Sequence, residues 1–584
     1  MVLSLGHRLF RIVPLSVVLA VAAVVSPFCL MSASAAERPH GPIVVHASGD
    51  ELVIGDRGGE LIVVDPTTRA VRDRKRVGES LTDLKPLGDD RWLSSTSDGL
   101  QLMRREQQSW QTDDDLELLH IVDLTVHPNG RTVAAAGLWS RQVSLLTVEN
   151  RKIQLATTID LPFAPRSQCW FDDGQSLLVV DSFGGRFAIL NVAGTIQRTG
   201  SMRVHNVRGL VADDREGQMY VSHQTMNPVA TTERESIFWG GVIRSLYSRV
   251  SFAELVNAAE PILETVYPLS TPGDAAADPG PMVTLPDGGV AIALSGVGQL
   301  GVRLSGSGVL LRRNVGQRPQ GVAFDAARRE IYVVSTLSDR LSVLELDNPE
   351  AVHHIRFRET PDDLTSAERG ERLFYDGRLS LDGWFSCHSC HTDGHANGQN
   401  NDNLGDGDFG RPKRVPSLLG VGESGPWAWN ASKDHLSEQI LGSVKTTMQG
   451  EGIDEQAAHD LAEYLRTLAP PPGLEKARGR MDKGQPEVGR RDAGERIFRR
   501  AGCVDCHAPP SYTTESVYDV GLTSVGEPVK FNPPSLRGVS QRDNLFHDGR
   551  ANSLEEVINQ YQHGQDNPLS EDDRASLLAF LRSL

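Results

Sequence analysis

The sequence predicts a multidomain chain: an all-β propeller of about seven blades followed by two all-α domains. Three observations carry that reading. From residue 40 to residue 352, short β-branched runs bounded by Gly and Asp turns recur with a period of roughly 40 residues, the length of a four-stranded blade. Beyond residue 360 the apolar spacing becomes helical and the segment contains an internal duplication. Each duplicate carries the pattern C-x-x-C-H, once at Cys387-His388-Ser389-Cys390-His391 and once at Cys503-Val504-Asp505-Cys506-His507.

At the N-terminus, Arg8 and Arg11 precede an apolar run over 13–25 and a small-residue stretch over 32–36. That order predicts a secretory signal peptide, residues 1–36, cleaved after Ala35 or Ala36. Pro14 and Pro27 interrupt a run already short for a membrane helix, and no other stretch is long and apolar enough to span a bilayer. The expected location is therefore periplasmic or secreted, with no membrane span after cleavage.

The propeller is expected over 40–352. Its turn signals fall at Gly49-Asp50, Gly88-Asp89-Asp90, Pro128-Asn129-Gly130, Asp172-Asp173-Gly174, Asp213-Asp214, Pro286-Asp287-Gly288 and Asp325-Ala326, one for each of seven blades. Alternating strands such as Ser176-Leu177-Leu178-Val179-Val180 follow the turns. One repeat is stretched by an insertion over 224–282, expected either to pack on the helical half or shape an entrance to it, or to be ordinary surface decoration. The last blade resembles the YVTN-type repeats of bacterial secreted propellers.

In the helical half, "GERLF" at 370–374 is answered by "GERIF" at 494–498, and "VPSLLGV" at 415–421 by "PPSLRGV" at 533–539. This order predicts two cytochrome c-like domains, 360–472 and 485–584, joined by a linker rich in Pro, Gly and charge. In C-x-x-C-H the two thiols bond to haem vinyl groups and the histidine becomes the proximal iron ligand. A zinc half-site or a thiol redox pair is the competing reading of one motif alone. The expected cofactors are two covalently bound haem c groups, held by Cys387, Cys390 and His391 and by Cys503, Cys506 and His507. Of the six cysteines, Cys29 lies in the signal and Cys169 is expected as a small buried hydrophobe. The formal charge of −17 does not suit nucleic acid or anionic lipid, and it leaves room for a basic electron-donor protein.

Two longer motifs give a family resemblance. "LFYDGRLSLDGWFSCHSCH" and "PSLRGVSQRDNLFHDGRANSLEE" resemble the signatures of the bacterial dihaem cytochrome c peroxidases and MauG. The resemblance implies that the first haem is the hydrogen peroxide site and that Trp429 relays electrons to it from the second. It further implies a distal-pocket glutamine at Gln439. At the family's catalytic glutamate this chain has Gln449, with Glu451 two residues on as the substitute. Asp406 replaces the histidine that blocks the first haem in classical peroxidases. His395 and Met448 are the remaining sixth-ligand candidates there, His395 being expected mainly as a solvated loop residue.

At the second haem the implied distal ligand falls on Tyr561, with His563 ranked below it. The implied partners are hydrogen peroxide, a small cytochrome c or cupredoxin as electron donor, and, in a MauG-like reaction, a protein or small-molecule substrate. Calcium between the two domains is also typical of the family, although these loops show no clear oxygen cluster. Two other readings stand beside the enzyme: a non-catalytic dihaem electron-transfer cytochrome, and a propeller interaction module with redox-sensing haems.

Overall fold

The computed structural model describes residues 40–584 apart from 89, 107, 359–363, 483–484, 525–526, 529 and 566. The expected signal peptide lies outside the described residues. Seven antiparallel sheets of four strands each form seven blades, every blade built in sequence order from one continuous stretch. All seven turn signals fall between the first and second strands of a blade, as Gly49-Asp50 does between Pro42–Ser48 and Glu51–Asp56. The first strands of successive blades touch one another around the ring, blade one meeting blade seven.

Blades packed face to face bury both sides of their middle strands, so Ser176–Asp181 is buried at every position. Outer strands face solvent and read as polar, as in Val71–Arg76 (VRDRKR) and Ile196–Ser201 (IQRTGS). Ring closure puts Val45, Ile54 and Val64 of blade one against Tyr332, Val334 and Leu341 of blade seven. The segment leaving blade seven seals that seam. Phe357 joins the same apolar cluster, and its carbonyl accepts from Arg74 at 2.8 Å. Arg358 reaches back to Asp56 at 2.9 Å and to Glu60.

Two boundaries differ from expectation. The last strand of blade seven, Asn348–Arg356, runs past residue 352. The stretch 224–282 is not one insertion, because it supplies the third and fourth strands of blade five, Ile243–Ser251 and Thr265–Pro268. Only the loops around them are additional, and they carry the short helices Arg234–Phe238 and Phe252–Asn257. The aromatic and polar sequence of the third strand hid its alternation.

Each helical domain closes by crossing its first helix over its last. In the first domain Ser366–Phe374 crosses Glu455–Thr467; in the second Pro486–Arg500 crosses Glu571–Ser583. Thr365 starts the first of these helices with a capping box, its hydroxyl accepting from Glu368 N at 3.2 Å while Glu368 accepts from Thr365 N at 2.7 Å. The duplicated glycines mark the crossings. A Cβ on Gly370 would lie 2.0 Å from Asp460 O, and one on Gly494 would lie 2.0 Å from Ser576 O. Gly370→Ala must therefore push the helices apart, and an overpacking cost of about 1–3 kcal/mol is expected. A thermal melt of the variant that matched the parent would refute the tight crossing.

Candidate functional site

The first C-x-x-C-H opens with the short helix Cys387–Cys390, capped by Ser386. The Ser386 hydroxyl donates to Asp278 of the propeller at 2.5 Å, and the Ser389 hydroxyl donates to the same carboxylate at 2.7 Å. His391 follows. Its Nδ1 lies 2.9 Å from Pro416 O, and since a carbonyl can only accept, Nδ1 carries the proton and Nε2 keeps its lone pair. Burial lowers His391 to about 4 and pushes Cys387 and Cys390 up to about 12.

The propeller encloses this motif. His388 is buried between two carboxylates, 3.5 Å from Asp278 and 3.2 Å from Asp393. Asp393 in turn meets Arg166 of blade four at 2.8 Å and Arg208 of blade five at 2.9 Å. Burial alone would raise the Asp393 carboxyl, but those two guanidiniums and His388 hold it well below the usual carboxylate range. Gln224 Nε2 donates to Ser389 Oγ at 3.3 Å. Beside this cluster Arg57 grips Glu371 through two bonds of 2.6 and 3.0 Å, while Arg318 lies 3.4 Å over the Tyr375 ring. The blade-five loop completes the pocket wall: Ile237, Val242 and Ile243 pack with Trp384, Val444, Met448 and the two cysteines.

The second motif is built alike. His507 Nδ1 donates to Tyr512 O at 3.1 Å, and burial lowers its imidazole to about 4. Both motifs thus pass a test of fit for haem c. None of the four thiols is in a disulfide, and each histidine presents a neutral Nε2 oriented through its other ring nitrogen. Tyr561 packs near Phe546 and its hydroxyl donates to Arg550 O at 2.9 Å, a bond it would give up to bind a metal. His563 also meets the Phe546 ring edge-on, with ring centroids 5.4 Å apart.

Trp429 stands at the seam of the two helical domains. Arg414 lies over its ring at 5.3 Å, and His547 of the second domain meets its edge at 6.5 Å. Backbone bonds cross the seam on both sides, from Asn532 N to Trp429 O at 3.0 Å and from Arg414 N to His547 O at 2.8 Å. Its neighbour Trp427 instead packs in the core of the first domain.

The other expected residues are more dispersed. Gln439, on the helix Leu436–Gly442, donates to Ser443 Oγ at 3.1 Å. Gln449 sits in a left-handed conformation, φ 51°, and donates to Thr446 O at 2.8 Å. Glu451 is exposed. Met448 is buried in the wall beside Cys387 and Cys390. The side chain of Asp406 lies outside the described set.

His395 corrects an expectation: it is buried, not solvated. Trp139 and Phe183 of the propeller cover it, and its nitrogens bond Ser417 Oγ at 2.8 Å and Gln541 O at 3.0 Å, so neither is free for iron. Among the described residues no group of three or more His, Cys, Asp or Glu side chains is placed to hold a metal ion.

A seven-bladed propeller closed over two C-x-x-C-H domains defines a multidomain haem protein. The family described as di-haem cytochrome c peroxidase matches residues 365–475. The methylamine utilization protein MauG of Methylorubrum extorquens is 27% identical over 296 residues, 40% of this chain and 82% of that protein. The cytochrome c551 peroxidase of Nitrosomonas europaea is 24% identical over 277 residues, 38% of this chain and 81% of that protein. Among solved structures, Kuenenia stuttgartiensis hydrazine synthase aligns over 56% of this chain and 97% of that chain, at 18% identity and a TM-score of 0.45. The helical half of this chain is thus similar to the di-haem cytochrome c peroxidases and to MauG, the family match itself lying over its first C-x-x-C-H domain.

Sequence reasoning missed the propeller's share of the site, namely Asp278, Arg166, Arg208 and Gln224. A signal was present in part. Arg166 and Arg208 sit near the start of the first strands Pro165–Phe171 and His205–Asp213, where a buried ring of strands has no solvent for a guanidinium.

Proposed function

We propose that this chain is a periplasmic or secreted di-haem c-type oxidoreductase that reduces hydrogen peroxide at the His391 site with electrons entering at the His507 site. The observation that carries this reading is Trp429, an oxidisable ring between the two C-x-x-C-H domains, with Arg414 of the first over its face, His547 of the second beside it, and its carbonyl accepting from Asn532 of the second. Haem held through Cys387 and Cys390 and through Cys503 and Cys506 would supply the redox-active iron that peroxide reduction needs.

The chain does the rest. The Nδ1–H bonds to Pro416 and Tyr512 fix the ring planes and the tautomer, while burial keeps both imidazoles neutral for ligation. Trp429 provides a stepping point across the seam. Reduction of peroxide to two waters takes two electrons, from a small cytochrome c or cupredoxin, and two protons. Here the proton supply is weak, because an amide at Gln449 has no proton to give. A MauG-like oxidation of a protein or small-molecule substrate would use the same seam in reverse.

The second reading, an electron-transfer cytochrome, is favoured by one observation: Met448 is buried against the first motif while Glu451 faces solvent. Peroxide turnover separates the two. Gln449→Glu is expected to raise the rate roughly 100-fold by restoring a general acid, and Glu451→Gln to leave it unchanged. If Glu451→Gln abolished turnover and Gln449→Glu did nothing, this assignment of the proton step would be wrong. If no variant turned over peroxide, the electron-transfer reading would stand.

A further inference from the structure

Where blade four meets both helical domains, the chain forms a half-open cavity of about 340 Å³. Its charged lining is Asp181 and Arg186 from the propeller, Arg414 from the first helical domain, and Arg542 and Asp543 from the second. The carboxylates are already taken. Arg186 holds Asp181 at 2.7 Å and also binds Asp543, and Arg141 lies 3.7 Å from Asp543.

Arg414 and Arg542 face the same cavity with no carboxylate. Arg414 is buried and bonds only carbonyls, Phe546 O at 3.0 Å and Val415 O at 3.4 Å. The Nη atoms of Arg542 donate to Ser535 O at 2.7 Å and Arg537 O at 3.1 Å, while its enclosed Nε has no partner. Burial lowers the two guanidiniums to about 9 and about 10, and in Arg414 the charge of Arg542 adds to the effect. A buried and a half-buried cation bound only to neutral oxygens are costly unless an anion joins them. A planar fork with free N–H groups recognises a carboxylate or a similar oxyanion.

We propose that this cavity is a carboxylate-binding site bridging Arg414 and Arg542. Two sources supply that chemistry, a haem propionate or a small free carboxylate. The site's position gives it consequence: Arg414 lies over Trp429, and Arg542 belongs to the second helical domain, which carries the His507 motif. An anion here offsets both cations, which eases oxidation of the indole and lowers the reduction potential of the second haem. The propionate source rests on the di-haem reading above, so the wild-type protein is first shown to carry two haems by pyridine haemochrome assay; a shortfall there would fault that reading and not this one.

The test uses the haem-loaded full chain as wild type, Arg542→Gln, Arg542→Lys and Arg414→Gln. Redox titrations give the haem potentials, and thermal melts are run against acetate and succinate with chloride at equal ionic strength as control. If the carboxylate is a propionate, added carboxylates leave the melt unmoved. The potential of the second haem then falls in Arg542→Gln and stays near wild type in Arg542→Lys, because only the first loses the cation. If it is a free carboxylate, the wild-type melting temperature rises with acetate or succinate beyond the chloride control, and Arg542→Gln loses that response. Potentials unchanged in both glutamine variants, together with no carboxylate-specific shift in the melt, would overturn the proposal. Should Arg414→Gln not fold, the Arg542 pair decides the matter alone.

Discussion

Trp429→Phe is expected to slow peroxide reduction by an external electron donor about 100-fold, a barrier increase of ~2.7 kcal/mol. Haem content and fold should not change. The indole is partly buried at the seam, and a phenyl ring can keep its contacts with Arg414 and the edge of His547. What phenylalanine cannot do is donate an electron at a comparable potential. The measurement is steady-state turnover with a reduced small cytochrome c, paired with the rate at which the His391 site is reduced from the His507 site. Trp427→Phe serves as the control, since that ring packs in the domain core. Equal rates in Trp429→Phe and the parent would remove Trp429 from the electron path.

Asp278→Ala should have the largest structural effect of any single change in the propeller. It leaves Ser386, Ser389 and His388 without the carboxylate that joins them to blade six. Breaking a buried charged network in this way costs about 3–5 kcal/mol. The expected result is a protein with close to one haem in place of two and a lower melting temperature, with Asp278→Asn intermediate. A fully loaded Asp278→Ala protein melting with the parent would show that the propeller is not needed to hold the first motif.

The same network sets an acid limit in two stages. His205 and His223 are lowered to about 4 by burial. Between their unfolded value near 6.5 and that figure the unfolded chain binds more protons, so stability falls as pH drops through the window. Asp278 and Asp393 are held below the ordinary carboxylate value, Asp278 against burial by His388 and the two serines. Their contribution is complete above about pH 4 and disappears only as pH falls through their folded values. In Asp278→Ala melting curves the second stage should shrink and the first remain.

The sequence carried the parts that depend on local order. Each blade announces itself by the turn after its first strand, and the two "GER" glycines are the points where helix backbones touch. The two C-x-x-C-H motifs were legible for the same reason, because ligand spacing within one turn of chain is a local property. The missing parts are contacts between residues far apart in sequence. Nothing near Asp278 indicates that it will cap a helix at Ser386, and nothing near Arg208 points to Asp393. His395 was misread because "HTDGHANGQN" has the composition of a solvated loop; two aromatic rings from blades three and four cover it. The strand Ile243–Ser251 was misread as insertion because its alternation is masked by serine and arginine.

Many ring-shaped domains lock themselves by sharing strands between their first and last sheets, but here each sheet is made of its own four strands. The tether reinforces the apolar join instead: Phe357 and Arg358, the first residues after blade seven, fasten blade seven to blade one. The two halves are therefore not separable modules. Cutting the chain at residue 352 would remove the fastening along with the cargo, and a propeller expressed alone should open at the join between its first and last blades.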